Sequence, residues 1–140
     1  MSCLAFLGLT ERAGKLVTGE ESCGMAARAR KTHAILLASD AGRSTCVRGE
    51  NYAEAGHCPL VRLPYTKDEL GAALGRGAVS MAAVTDIGMA SAFMDKLSGE
   101  GPGTYDAPAA ELKVKLHRAM ERKKEARRHK ENVRRGKSKK

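Results

Sequence analysis

The sequence predicts an α/β protein, a helix–sheet–helix sandwich around a small and largely buried sheet, followed by a basic helical tail. Three observations predict it. Three short apolar runs, "HAILLA" (33–38), "PLVRL" (59–63) and "VSMAAV" (79–84), are bounded by turn residues and have the length of buried strands. Segments of helical length lie between them, and this alternation is the signature of layered α/β architecture. The charge is divided: residues 1–108 hold 11 Lys/Arg and 12 Asp/Glu, whereas residues 109–140 hold 14 Lys/Arg and 4 Asp/Glu. The chain of 140 residues suits one compact domain with an appendage. Only 4% of its residues are aromatic and none is Trp, so Ala, Leu, Val and Met must fill the core.

Taken in order, residues 3–13 place Leu4, Leu7 and Leu9 along one helical face. Leu16 and Val17 form a short extended link to a helix over 19–30. Thr18-Gly19-Glu20-Glu21 fits the S/T-x-x-E capping box for that helix, with Glu21 reaching back to the N-cap amide. After the strand 33–38, Asp40 reads as a turn residue before a helix over 43–56. A helix over 66–75 opens on a second capping box, Thr66 to Glu69, and stops at Gly75 and Gly77. Asp86 caps a helix over 86–97. The organisation expected is therefore a domain over 1–97, a Gly/Pro linker over 98–108 and a basic, helix-prone tail over 109–140. In the tail, Leu112, Leu116, Ala119 and Met120 form a stripe thin enough to predict a helix that docks weakly or forms on binding, frayed into "GKSKK".

Several chemistries can be set aside. "ERAGKLVTGEES" (11–22) suggests a phosphate loop, but Gly8 to Gly14 encloses five residues where a Walker A loop has four, and Leu16 stands where its Ser or Thr binds magnesium. Gly71, Gly75 and Gly77 run in the reverse order of a dinucleotide fingerprint and end a helix instead of opening one. Asp40 and Asp86 follow strands, yet no nucleophile, base and oxyanion donor accompany them, so no enzyme and no cofactor are expected. The spacing of Cys3, Cys23, Cys46 and Cys58 spells neither a disulfide framework nor a zinc site, and the histidines share no ligand spacing, so no metal is expected. Reduced thiols, the lack of a basic n-region and the lack of a membrane-length apolar run place the expected protein in the cytoplasm, away from membranes.

The dense cationic tail points to a polyanion, above all nucleic acid. Arg122, Lys123, Lys124, Arg127, Arg128, Lys130, Arg134 and Arg135 are its candidate phosphate contacts. In the body, the amides at the start of the 19–30 helix favour an anion, with Lys15, Arg28 and Lys31 to flank that end or its helix. Glu20 and Glu21 oppose the same field.

"LGLTERAGKLVTGEE", "ILLASD", "LPYTKDELGAALG" and "AAVTDIGMA", in this order over residues 3–97, resemble the YlxQ-type bacterial members of the kink-turn-binding ribosomal protein superfamily (the ribosomal L-seven-Ae family). The resemblance implies an α/β/α sandwich on a four-stranded mixed sheet and an RNA-reading surface. In kink-turn binders a Gly-x-Asn-Glu motif with a following Lys opens the second helix. Here Gly19 matches the Gly, while Glu21, Ser22 and Met25 stand at the Asn, Glu and Lys positions. A carboxylate cannot donate as an Asn amide does, and Met25 carries no charge toward phosphate. The loop that packs apolar residues on RNA corresponds to Arg76, Gly77, Ala78 and Val79.

The function expected is recognition of structured RNA, ribosomal RNA first, in ribosome assembly or translation, with the tail supplying non-specific affinity. The alternative is a protein-interaction module of the translation machinery, with ribosomal or translation-factor partners and only auxiliary RNA contact.

Overall fold

The computed structural model describes residues 2–100 and 103–134. They form α1 (Cys3–Arg12), β1 (Leu16–Thr18), α2 (Glu20–Arg28), β2 (Ala34–Leu37), α3 (Arg43–Gly56), β3 (Leu60–Arg62), α4 (Lys67–Ala73), β4 (Met81–Val84), α5 (Ile87–Glu100) and α6 (Asp106–Arg134). The strands make one mixed sheet in the order β1-β4-β2-β3, with β2 and β3 parallel and the other pairings antiparallel.

Side chains on successive strand residues point to opposite faces, and the two cores follow that alternation. Leu16, Ala34, Leu36, Val61, Ala82 and Val84 pack with Leu7 of α1, Leu70 of α4 and Phe93, Met94 and Leu97 of α5. Ile35, Leu37, Met81 and Ala83 pack with Cys23 of α2 and Ala53 of α3. This is the expected three-layer sandwich on a four-stranded mixed sheet. All four cysteines are free. Burial pushes the Cys3 thiol up to about 11 and that of Cys23 up to about 12, so both are inert filling at neutral pH.

The register gives the sheet two ends. Thr18 faces Ala82 and Leu37 faces Met81 at one, which we call the Gly19 end; Leu16 and Ala34 both face Val84 at the other, the His33 end. The α5 helix starts beyond β4 at the His33 end and runs back across the sheet, and α6 returns along α5.

The C-terminal segment departs from expectation in two ways. The linker over 98–108 is shorter than its composition suggests: α5 continues through Ser98 to Glu100, whose carboxylate accepts from the Tyr65 hydroxyl at 3.0 Å, and α6 already begins at Asp106. Of the expected linker, Gly101 and Pro102 lie outside the described residues. Nor is the start of α6 weakly docked. Ala109 and Leu112 are buried in the larger core and Leu116 and Ala119 are half-buried, because α5 completes the surface that so thin a stripe lacks by itself. From Arg122 to Val133 every residue is exposed. The expected fraying of "GKSKK" lies outside the described residues.

Caps divide in the same way. The Thr66–Glu69 capping box is formed in both directions, and Asp86 Oδ2 accepts from the Met89 amide at 2.9 Å. Asp40 does more than turn the chain, accepting from the Lys67 amide at 2.9 Å to tie the end of β2 to α4. The Thr18–Glu21 box is absent: Thr18 is the last residue of β1, and α2 is capped by Gly19 without any side-chain hydrogen bond. Pairing with β4 holds Thr18 in the sheet, out of the N-cap position.

Candidate nucleic-acid interface

At the Gly19 end, Thr18, Gly19 and Glu20 meet the loop Arg76–Gly77–Ala78–Val79 and the start of β4 across an open cleft of about 320 Å³. Gly19 has φ 93° and ψ 149°, a conformation open in practice to glycine alone. That turn lets the Gly19 amide donate to Met81 O at 2.9 Å, locking the β1–α2 junction to β4. With no side chain on the N-cap residue, the first amides of α2 stay uncovered at the cleft. The opposite wall is placed by Gly71, where an added Cβ would lie 2.0 Å from Gly77 O, and by the Arg76 amide, which donates to Gly71 O at 2.8 Å.

The charges in this cleft are already partnered. Glu20 accepts from Thr45 Oγ1 at 2.9 Å and pairs with Arg48, so α2 is tied to α3. The Arg48 hydrogen bond first, and Thr45 second, hold the Glu20 carboxyl below the usual carboxylate range. Arg76 pairs with Glu11 through both Nε and Nη2. Glu21 and Ser22 are exposed on α2, and Met25 is 61% exposed. Val79 is only 6% exposed and belongs to the core, so of the expected apolar loop only Ala78 offers a surface methyl. The Val79 amide donates to Lys67 O at 3.0 Å, which holds Val79 inward.

Lys15, Arg28 and Lys31 do not join this cleft. The Lys15 carbonyl accepts from the Thr85 amide at the far end of β1, ~13 Å of extended chain from Gly19. Arg28 closes α2, and Lys31 precedes His33, whose amide donates to Val84 O. All three flank the His33 end, and the exposed half of α6 projects beyond that same end. In the tail, Arg122, Lys123, Lys124, Arg127, Arg128 and Lys130 are exposed on this helix, whereas Arg135 lies outside the described residues. Arg134 is its last helical residue.

Sequence reasoning missed the residues that fix the cleft. Arg48 stands 28 positions from Glu20, and Glu11 stands 65 from Arg76, so no local pattern announces either pair. Among the described residues no group of three or more His, Cys, Asp or Glu could hold a metal, and no helix is long and apolar enough to cross a membrane.

A profile of the ribosomal protein L7Ae/L30e/S12e/Gadd45 family matches residues 1–94. The chain belongs to this family. The RNA-binding protein YlxQ of Bacillus subtilis (strain 168) is 32% identical to it over 101 residues, 69% of this chain and 96% of that protein. A solved structure from Bacillus halodurans C, described as a protein with unknown function, is 27% identical and superimposes with a TM-score of 0.63, covering 69% of this chain and 96% of its own. The Giardia lamblia 15.5kD RNA binding protein shares the fold at a TM-score of 0.57 and 15% identity, over 69% of this chain and 84% of its own. The family match ends within α5, and the whole of α6 lies beyond it.

Proposed function

We propose that this protein binds structured RNA, ribosomal RNA first, in the cytoplasm during ribosome assembly or translation, without catalysis. The observation that carries the reading is the side-chain-free cap at Gly19, which leaves helix amides facing a cleft walled by residues 76–79. Such amides, with the helix dipole, donate to phosphate oxygens or base-edge acceptors. Membership of the family and the likeness to an RNA-binding relative support it. Glu21, Ser22 and Met25 lack the donors and charge of a standard kink-turn reader, so the cleft contributes shape and backbone contacts, and the basic arm contributes most of the affinity through counterion release. Crosslinking in cells followed by sequencing of the bound RNA tests this. Discrete RNA sites, weakened by Arg76→Ala, are expected; no RNA enriched over background would sink the reading.

The partnered charges of the cleft favour a second reading, a protein-interaction module of the translation machinery whose arm only touches nearby RNA. Co-purification after nuclease treatment separates the two, since a ribosomal or translation-factor partner that survives RNA removal supports the module.

A further inference from the structure

At the His33 end, where α6 crosses from the body into solvent, Arg30, His33, His57, Lys115, Arg118 and Arg122 surround a cavity of about 380 Å³. Lys115, Arg118 and Arg122 are spaced i, i+3, i+7 and so share one face of α6. One turn earlier the same helix packs Ala109 and Leu112 into the core. The half-buried Leu116 and Ala119 continue that stripe, and the cationic face runs beside it where the helix still meets the body.

The facing wall carries one further cation, Arg30. Arg30 and His57 carry φ of 57° and 53°, and they are the non-glycine residues with positive φ among those described. Both are left-handed helix stops, His57 closing α3 and Arg30 following the end of α2. His57 is also held from α6, its carbonyl accepting from Lys115 Nζ at 2.6 Å. The carboxylates nearby have other partners: Glu111 pairs with Lys115 at 3.2 Å, Glu121 pairs with Lys124 at 3.9 Å, and Asp86 accepts from the Met89 amide. Arg30, Arg118 and Arg122 have no ion pair among the described residues. Guanidiniums gathered around one cavity repel each other, and a bound anion relieves that repulsion.

We propose that this cavity is a second RNA site, which takes a backbone phosphate between Arg30 and the Arg118–Arg122 face of α6 and so feeds the strand onto the exposed basic arm. The inference rests on the RNA-binding reading above and adds a separate contact at the end of the sheet remote from Gly19. The guanidinium fork suits two phosphate oxygens at once. The cavity then serves as the fixed start of a track that the arm continues. The arm's cations are exposed along α6, so by themselves they give charge without position.

Full-length protein and the double variants Arg30→Gln/Arg118→Gln and Arg127→Gln/Arg128→Gln should be titrated with a short labelled RNA hairpin across a salt series, with thermal unfolding confirming that each is folded. The cavity pair is expected to lower affinity roughly tenfold and reduce the salt slope by about 2, and to abolish the RNA-induced shift of the His33 ring resonances. The arm pair should lower affinity less and keep that shift. Retained affinity and retained His33 shift in the cavity pair would overturn the second site alone, as would equal losses in both pairs. A cavity that inorganic phosphate or adenosine monophosphate fills as tightly as RNA does would overturn RNA as its occupant. Full-length protein that binds no RNA at any salt would overturn the parent reading and this one together.

Discussion

The two ends of the sheet use their charged groups in opposite ways. At the Gly19 end each charge of the cleft is consumed inside the protein, Glu20 by Thr45 and Arg48, Arg76 by Glu11. At the His33 end three guanidiniums face one cavity with no ion pair among the described residues, and the basic half of α6 leaves from there. Paired charges on a surface fix geometry but attract little, whereas unpaired ones attract polyanions and tolerate many shapes. The difference assigns shape to the first end and attraction to the second.

The largest effect expected on this contrast comes from Leu112→Ala. Leu112 is fully buried between α6 and the body, so its truncation should destabilise the fold by about 2–5 kcal/mol, read by urea unfolding. It should also blur the His33 end by loosening α6. A loss below ~1 kcal/mol would mean that α6 is not part of the core. Truncation after Glu121 comes next. It removes 11 Lys/Arg and 2 Asp/Glu while keeping the buried stripe, so stability should be nearly unchanged while RNA affinity falls about a hundredfold and the salt slope flattens. Unchanged affinity would remove attraction from this end altogether.

Gly19→Ala should cost about 1–2 kcal/mol, since an Ala is strained at φ 93°. It should weaken RNA binding with the salt slope kept, because it disturbs amides and removes no charge; a lowered slope would erase the distinction between the ends. Glu20→Gln should cost about 1 kcal/mol, as befits a half-exposed pair, and frees Arg48 to raise affinity slightly. The smallest effect is a pH slope at the other end. Burial lowers the His33 pKa, with Lys115 adding to the shift and Asp86 opposing it. The unfolded chain therefore binds the proton more readily, so this contribution to stability is complete above about pH 6.5, the ordinary His value. It declines as the pH falls below that. His33→Asn should flatten the acid side of the stability profile, and an unaltered profile would show that His33 titrates like an exposed histidine.

Much of the fold was legible because its signals are local. The strands over 34–37, 60–62 and 81–84 fall inside the three apolar runs, and the Thr66 box and the Asp86 cap each need only four consecutive residues. The Thr18 box had an equally good local signal and failed, since pairing with β4 claimed Thr18 for the sheet. The linker was overextended for a related reason. Glycine and proline composition cannot register that Tyr65 reaches Glu100, or that Leu112 finds α5.

The candidate site was legible in part. Gly19 and the loop 76–79 were singled out as one surface, and they do share a cleft. Lys15, Arg28 and Lys31 were grouped with them by sequence proximity, but a strand and a helix carry the chain away from Gly19 before those cations appear.

The sequence by itself determined the α/β alternation, the neutral body with its basic tail and the glycine at the head of α2, because periodicity, composition and backbone permissiveness are properties of the chain. Only the tertiary structure decided which charges are spent and which are free. Glu20 met Arg48, Glu11 met Arg76, and Arg30 came to face Arg118 through contacts between residues far apart in sequence. Electrostatic energy depends on distance in space, and the fold alone sets that distance.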